Sequence, residues 1–161
     1  MKVNSKEKSP LSHAASYIDR KQRTQAEVED FLYSLDISEV EVMTLIERLK
    51  SAALIDDEKY AENYIGSRLA TKPMSRASLK RQLLSHFIDE TLVDRKLFEL
   101  VTDEIELENA VKCAGKYMTR YVDYDSFERN NRTIKRLLSM GFDYDTARRC
   151  VSLVSSEENG I

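Results

Sequence analysis

Few residues in this sequence are of the types that do covalent chemistry, and their spacing argues against any of them doing it. Cys113 and Cys150 are the only two cysteines, each set in a helical apolar pattern, with no CxxC and no histidine nearby. Such thiols read as reduced core residues, against the alternatives of a disulfide or a metal site. His13 and His86 stand singly, with no second His or Cys at metal-ligand spacing. There is no GxGxxG or GxxxxGK[ST] run to cradle a phosphate, and no serine lies in a GxSxG turn. Asp56 and Asp57 are adjacent, and neighbours on a helix point in different directions. Capping and helix-dipole stabilisation therefore account for them better than a shared metal. The expectation is a protein that is not an enzyme, with no catalytic residue, no cofactor and no metal.

Binding chemistry is better represented. From Asn63 to Ile88, 26 residues run without one acid, yet Arg68, Lys72, Arg76, Lys80 and Arg81 fall there. A second cluster, Arg129, Arg132, Lys135 and Arg136, opens a later helix, with positions 129, 132 and 136 on one face. Any single base reads as part of a solvated face. The two clusters together, in a chain of net charge −3, point to a polyanion or an acidic protein surface as partner. The overall negative charge argues against a protein that coats DNA indiscriminately, since that affinity comes from phosphate neutralisation.

The elements that must position these residues are helical. The chain has 161 residues, 33% of them charged, with only four glycines and two prolines, a composition that suits solvated helices and disfavours turn-rich β-folds. No apolar run reaches the length of a membrane span. The N-terminus MKVNSKEKSPLSH is polar and lysine-rich, unlike a secretory signal. A cytoplasmic protein without membrane contact is expected.

Laid against itself, the chain repeats. Val42, Ile46 and Leu49 recur 51 residues on as Val93, Leu97 and Leu100, and a further 54 on as Ala147, Val151 and Val154. This i, i+4, i+7 spacing is the buried stripe of an amphipathic helix. Ahead of it, Asp36, Phe87 and Gly141 occupy matching turns, and Ala14–Tyr17–Ile18, Ala61–Tyr64–Ile65 and Ala114–Tyr117–Met118 form a further matched set. Thr24-x-x-Glu27 reads as a capping box, and Ser75, after Pro73, sits at the equivalent N-cap. His86 falls where the other copies carry Leu35 and Met140, which predicts packing at a helix end. The predicted organisation is all-α, three tandem three-helix repeats (13–55, 56–102 and 106–156) forming an elongated, curved array. Residues 1–12 are predicted to be disordered and 157–161 a flexible tail. The polar stretch Glu104–Glu108 and the loops Thr71–Met74 and Val122–Asp125 are the predicted places for bending between units.

In that register the chain resembles the RecX family of bacterial RecA regulators. The similarity is carried by YIDRKQRTQAEVEDFL (Tyr17–Leu32), by DDEKYAENYI (Asp56–Ile65) with the basic loop and helix after it, and by LLSMGFDYDTARRCV (Leu137–Val151). It runs over residues 14–154 and lies in order and register. Asp36 and Phe87 stand where family members often have Gly, which predicts tighter or longer turns there. The resemblance implies a monomeric protein of DNA repair, homologous recombination and the SOS response that lodges in the groove of the RecA–single-stranded-DNA filament. There it would touch RecA, and DNA phosphates within the filament, and modulate, typically inhibit, RecA's ATPase, strand-exchange and coprotease activities. The alternative is a direct nucleic-acid-binding protein built from helix-turn-helix-like units. That reading asks for a strongly basic helix in every unit, whereas residues 14–55 carry five bases and eight acids.

Overall fold

Every helix start in this chain falls on a short polar side chain. The structure, a computed structural model, describes residues 8–158 and 160. Among these lie nine helices: α1 (Pro10–Arg20), α2 (Gln25–Tyr33), α3 (Glu39–Ser51), α4 (Asp57–Thr71), α5 (Arg76–Leu84), α6 (Glu90–Leu100), α7 (Asp103–Arg120), α8 (Ser126–Ser139) and α9 (Tyr144–Glu158). The described residues include no strand. Ser9, Thr24, Ser38, Asp56, Ser75, Asp89, Thr102 and Asp125 each accept the backbone N–H three residues on, and Asp143 does the same for α9. Each such bond satisfies one of the N–H groups that a helix leaves unpaired at its start. Thr24 and Glu27 complete the reciprocal capping box.

The apolar stripes close three separate cores. Val42, Ile46 and Leu49 pack with Val28 and Leu32 beneath α1. Val93 and Leu97 pack with Ile65, Leu79 and Leu83, and Ala147, Val151 and Val154 with Ala114, Met118 and Leu137. Helix packing runs within α1–α3, α4–α6 and α7–α9. In the middle group the buried Lys96 ties α6 to α4, its Nζ 2.6 Å from Glu58, 2.9 Å from Glu62 and 2.9 Å from Glu99.

Several expectations need correction. Leu100, the third residue of the second stripe, is exposed, and Val101 is fully buried in its place. The helix stops at Leu100, and the C-cap residue Val101 (φ −119°) turns back over the core. Glu104–Glu108 is no hinge but the first turns of α7, where its carboxylates suit the helix dipole. The turns at Asp36 (φ 57°) and Phe87 (φ 58°) are neither tighter nor longer than the one at Gly141 (φ 94°). All three follow the same pair of i→i+3 backbone bonds and enter the left-handed region. The first helix takes in residues 10–12, because Ser9 caps it and Pro10 occupies its first position. At the other end α9 runs through 157 and 158, and Gly160 (φ 67°) follows it. Residues 1–7, 159 and 161 lie outside the described residues.

Successive units meet through polar bonds. The Thr24 hydroxyl donates to the His86 carbonyl (3.0 Å), and the Gln25 N–H donates to Asp57 Oδ1 (2.8 Å). One repeat later, the Ser75 hydroxyl donates to the Met140 carbonyl (2.6 Å), and the Arg76 N–H donates to Glu106 Oε2 (3.0 Å). His86 Nδ1 lies 3.0 Å from Glu27 Oε1, with its ring tilted against Tyr60 and Tyr64. The helix-end role expected for His86 is thus a contact across the first junction.

Candidate partner-binding clefts

Each junction leaves a cleft beside it. The first, of about 390 Å³, is lined by Lys21, Gln22, Asn63, Tyr64, Arg68 and His86, with Tyr60 and Ser67. Its polar groups are largely neutral, and Arg68 lies over the Tyr64 ring, 4.9 Å from the centroid. The second, of about 300 Å³, is lined by Lys72, Arg81, Lys112, Lys116 and Arg136 around Pro73, Ser78, Cys113, Tyr117 and Met140. No acid lines it. Among the described residues, none of those five bases has a carboxylate within 4 Å.

The two basic runs of the sequence do not survive as two patches. Lys72 and Arg81 from the first run join Arg136 from the second across the junction, while Arg68 lines the other cleft. Arg76 is taken up inside the fold: Nε donates to the Val101 carbonyl (2.6 Å), and Nη2 pairs with Asp103 (2.7 Å). Lys80 is held between Glu90 and Asp94, at 2.7 Å from each. Arg132 pairs with Glu128 (2.7 Å) and lies over Tyr124. Lys135 is exposed and Arg129 half-buried on α8, and neither lines the cleft. Arg76, Lys80 and Arg132 each have a carboxylate of the chain in reach, so their charge is partly answered within the fold, unlike that of the five cleft bases.

Lys112 and Lys116 belong to the cleft but lie in neither run. Their i, i+4 spacing on α7, one turn before Arg120, was the available signal. Arg136 also lies over Tyr117, 5.1 Å from the ring centroid. The thiols behave as core groups: burial pushes Cys113 up, and Cys150 up to about 11, far from a reactive thiolate. No helix among the described residues is long and apolar enough to cross a membrane, and no metal-holding cluster of His, Cys, Asp and Glu occurs among them.

The same architecture is found in solved structures. The crystal structure of RecX from Lactobacillus salivarius superposes with a TM-score of 0.85 at 31% identity, over 91% of this chain and 94% of that one. The chain belongs to the RecX family. A second crystal structure, of a regulatory protein RecX, matches at 26% identity with a TM-score of 0.73, covering 85% of this chain and 69% of the other. The family model for the second three-helix domain of RecX matches residues 56–97, within α4–α6. The regulatory protein RecX of Streptococcus equi subsp. equi is 30% identical over 148 residues, and that of Streptococcus sanguinis 31% over 147. These alignments take in 92% and 91% of this chain but 56% and 55% of those proteins, so the chain spans about half the length of the curated relatives it matches. Those relatives are regulatory proteins by name.

Proposed function

We propose that this chain binds the RecA recombinase as a monomer in the cytoplasm, lodging along the groove of the RecA–single-stranded-DNA filament. There it inhibits ATP hydrolysis, strand exchange and coprotease activity by occupancy. The partner follows from the family resemblance; the observation that carries the reading on this chain is the second cleft. Five cations around about 300 Å³ repel one another, and among the described residues no carboxylate lies within 4 Å of any of them. An anionic partner supplies what the fold withholds. Arg81 and Arg136 offer planar forks suited to carboxylate or phosphate, and the lysines offer point charges on flexible stems. The filament presents acidic protein surface and DNA phosphates together. Arg68, Arg129 and Lys135 complete the proposed contact set.

The test is inhibition of RecA's DNA-dependent ATP hydrolysis by a variant with Lys72, Arg81, Lys112, Lys116 and Arg136 all changed to Glu. Inhibition is expected to weaken by at least ten-fold, about 1.4 kcal/mol of binding, while the melting transition moves little, since exposed charges contribute little to stability. Full inhibition by the folded variant at moderate salt removes the cleft from the mechanism. A salt series of DNA binding without RecA separates the alternative of direct nucleic-acid binding, which falls steeply with log salt.

A further inference from the structure

The caps of α2 and α5 differ from every other cap in the chain. Thr24 and Ser75 are fully buried, whereas Ser9, Ser38, Asp56, Asp89, Thr102, Asp125 and Asp143 are all exposed. Each of the two hydroxyls accepts from its own helix, Thr24 from Glu27 N at 3.3 Å and Ser75 from Ser78 N at 3.1 Å. Each then donates across a junction to a carbonyl 62 or 65 residues away. A hydroxyl is the cap group that can do both, since an ionised carboxylate only accepts. Beside each hydroxyl, the first N–H of the helix is accepted by a carboxylate from the first helix of the next unit, Asp57 or Glu106.

We infer that Thr24, Asp57, Ser75 and Glu106 are positioning residues that fix the angle between successive units through one two-bond latch, repeated at each junction. Three observations support this. The latch recurs with the same donors and acceptors in the same order, although the sequences differ. No pair of helices from different units packs as those within a unit do, so the directional bonds at the caps and turns carry part of the orientation. Finally, burial works against both carboxylates, raising Asp57 and Glu106 above their ordinary values even though each accepts a backbone N–H. Groups whose ionisation costs stability in the fold are better explained by the geometry they specify than by net stabilisation. Gly141 belongs to the same device, since a Cβ there would stand 2.7 Å from Ser75 Oγ and push the second latch open.

The test separates angle from fold. Thr24→Asp and Ser75→Asp keep an N-cap acceptor but remove the donated hydroxyl and turn a carboxylate towards the neighbouring carbonyl, while Thr24→Ser keeps both bonds. Spin labels on cysteines introduced at the exposed positions Val40, Phe98 and Phe127 report the two junctions as the 40–98 and 98–127 distances. Cys113 and Cys150 are buried and stay unlabelled. Thr24→Asp is expected to abolish the narrow 40–98 peak and spare 98–127; Ser75→Asp does the reverse; Thr24→Ser matches the parent. Narrow parental peaks in both Asp variants, with parental helicity, overturn the inference. So does broadening accompanied by loss of helicity, which makes the residues merely structural. Any effect of the latch on filament binding rests on the proposed function, but the distances do not. Broadened distances with undiminished RecA inhibition therefore count against the groove-following reading and leave the latch standing.

Discussion

At the scale of single residues, the three matched turns show one backbone demand met by three side chains. Asp36, Phe87 and Gly141 all lie at positive φ, where an L-residue other than Gly is disfavoured by roughly 1–2 kcal/mol. Phe87 is 72% exposed, so little packing is lost on removing its ring. Phe87→Gly is therefore expected to raise the unfolding free energy by about 0.5–1 kcal/mol, the relief of strain less the extra freedom that glycine gives the unfolded chain. Gly141→Ala is expected to lower it by about 1–3 kcal/mol, because the added Cβ is both strained and in collision with Ser75. Urea denaturation of the two variants checks both signs. If they move stability in the same direction, these turns are not the equivalents described.

At the scale of elements, helices and caps were legible because their signals are local. The i, i+4, i+7 stripes, Thr24-x-x-Glu27 and Ser75 all declare themselves within a turn or two. The second bond of each buried cap, to a residue 62 or 65 positions on, leaves no such mark. The cleft was half legible for the same reason. A basic run shows where cations are dense but not which are neutralised, and Arg76 finds its acid 27 residues away. The junction carboxylates give a pH test. Near Asp57, Lys50 lowers the pKa while Asp56 and Glu29 raise it; near Glu106, Arg76 lowers it while Asp143 and Asp103 raise it, and burial dominates both. A carboxyl with a raised folded pKa gives its full contribution below its ordinary value and loses it as pH climbs through the folded value. Glu106→Gln keeps an acceptor oxygen and does not titrate. Its stability is expected to gain on the parent as pH rises from about 4 towards neutrality. A difference in unfolding free energy that stays constant over that range rules the effect out.

At the scale of the whole molecule, three linked units can engage a long partner with the later contacts made intramolecularly once the first has formed. The five-base cleft lies between the second and third units, while residues 14–55 carry more acids than bases. Fragment 56–161 is thus expected to retain more inhibition of RecA's ATP hydrolysis than fragment 1–55, and both less than the intact chain, each fragment being checked first for helicity. A first unit as potent as the whole would dismiss both the cleft and the multivalent reading. The three separate cores also bear on how the chain opens. Cooperativity in a linear array passes only through the interfaces between neighbours, and here those are made largely by a few polar bonds at caps and turns. Opening then proceeds in blocks: amide hydrogens deep in α9 and those deep in α3 exchange with solvent on independent schedules, and a lesion that melts one block leaves the far one folded.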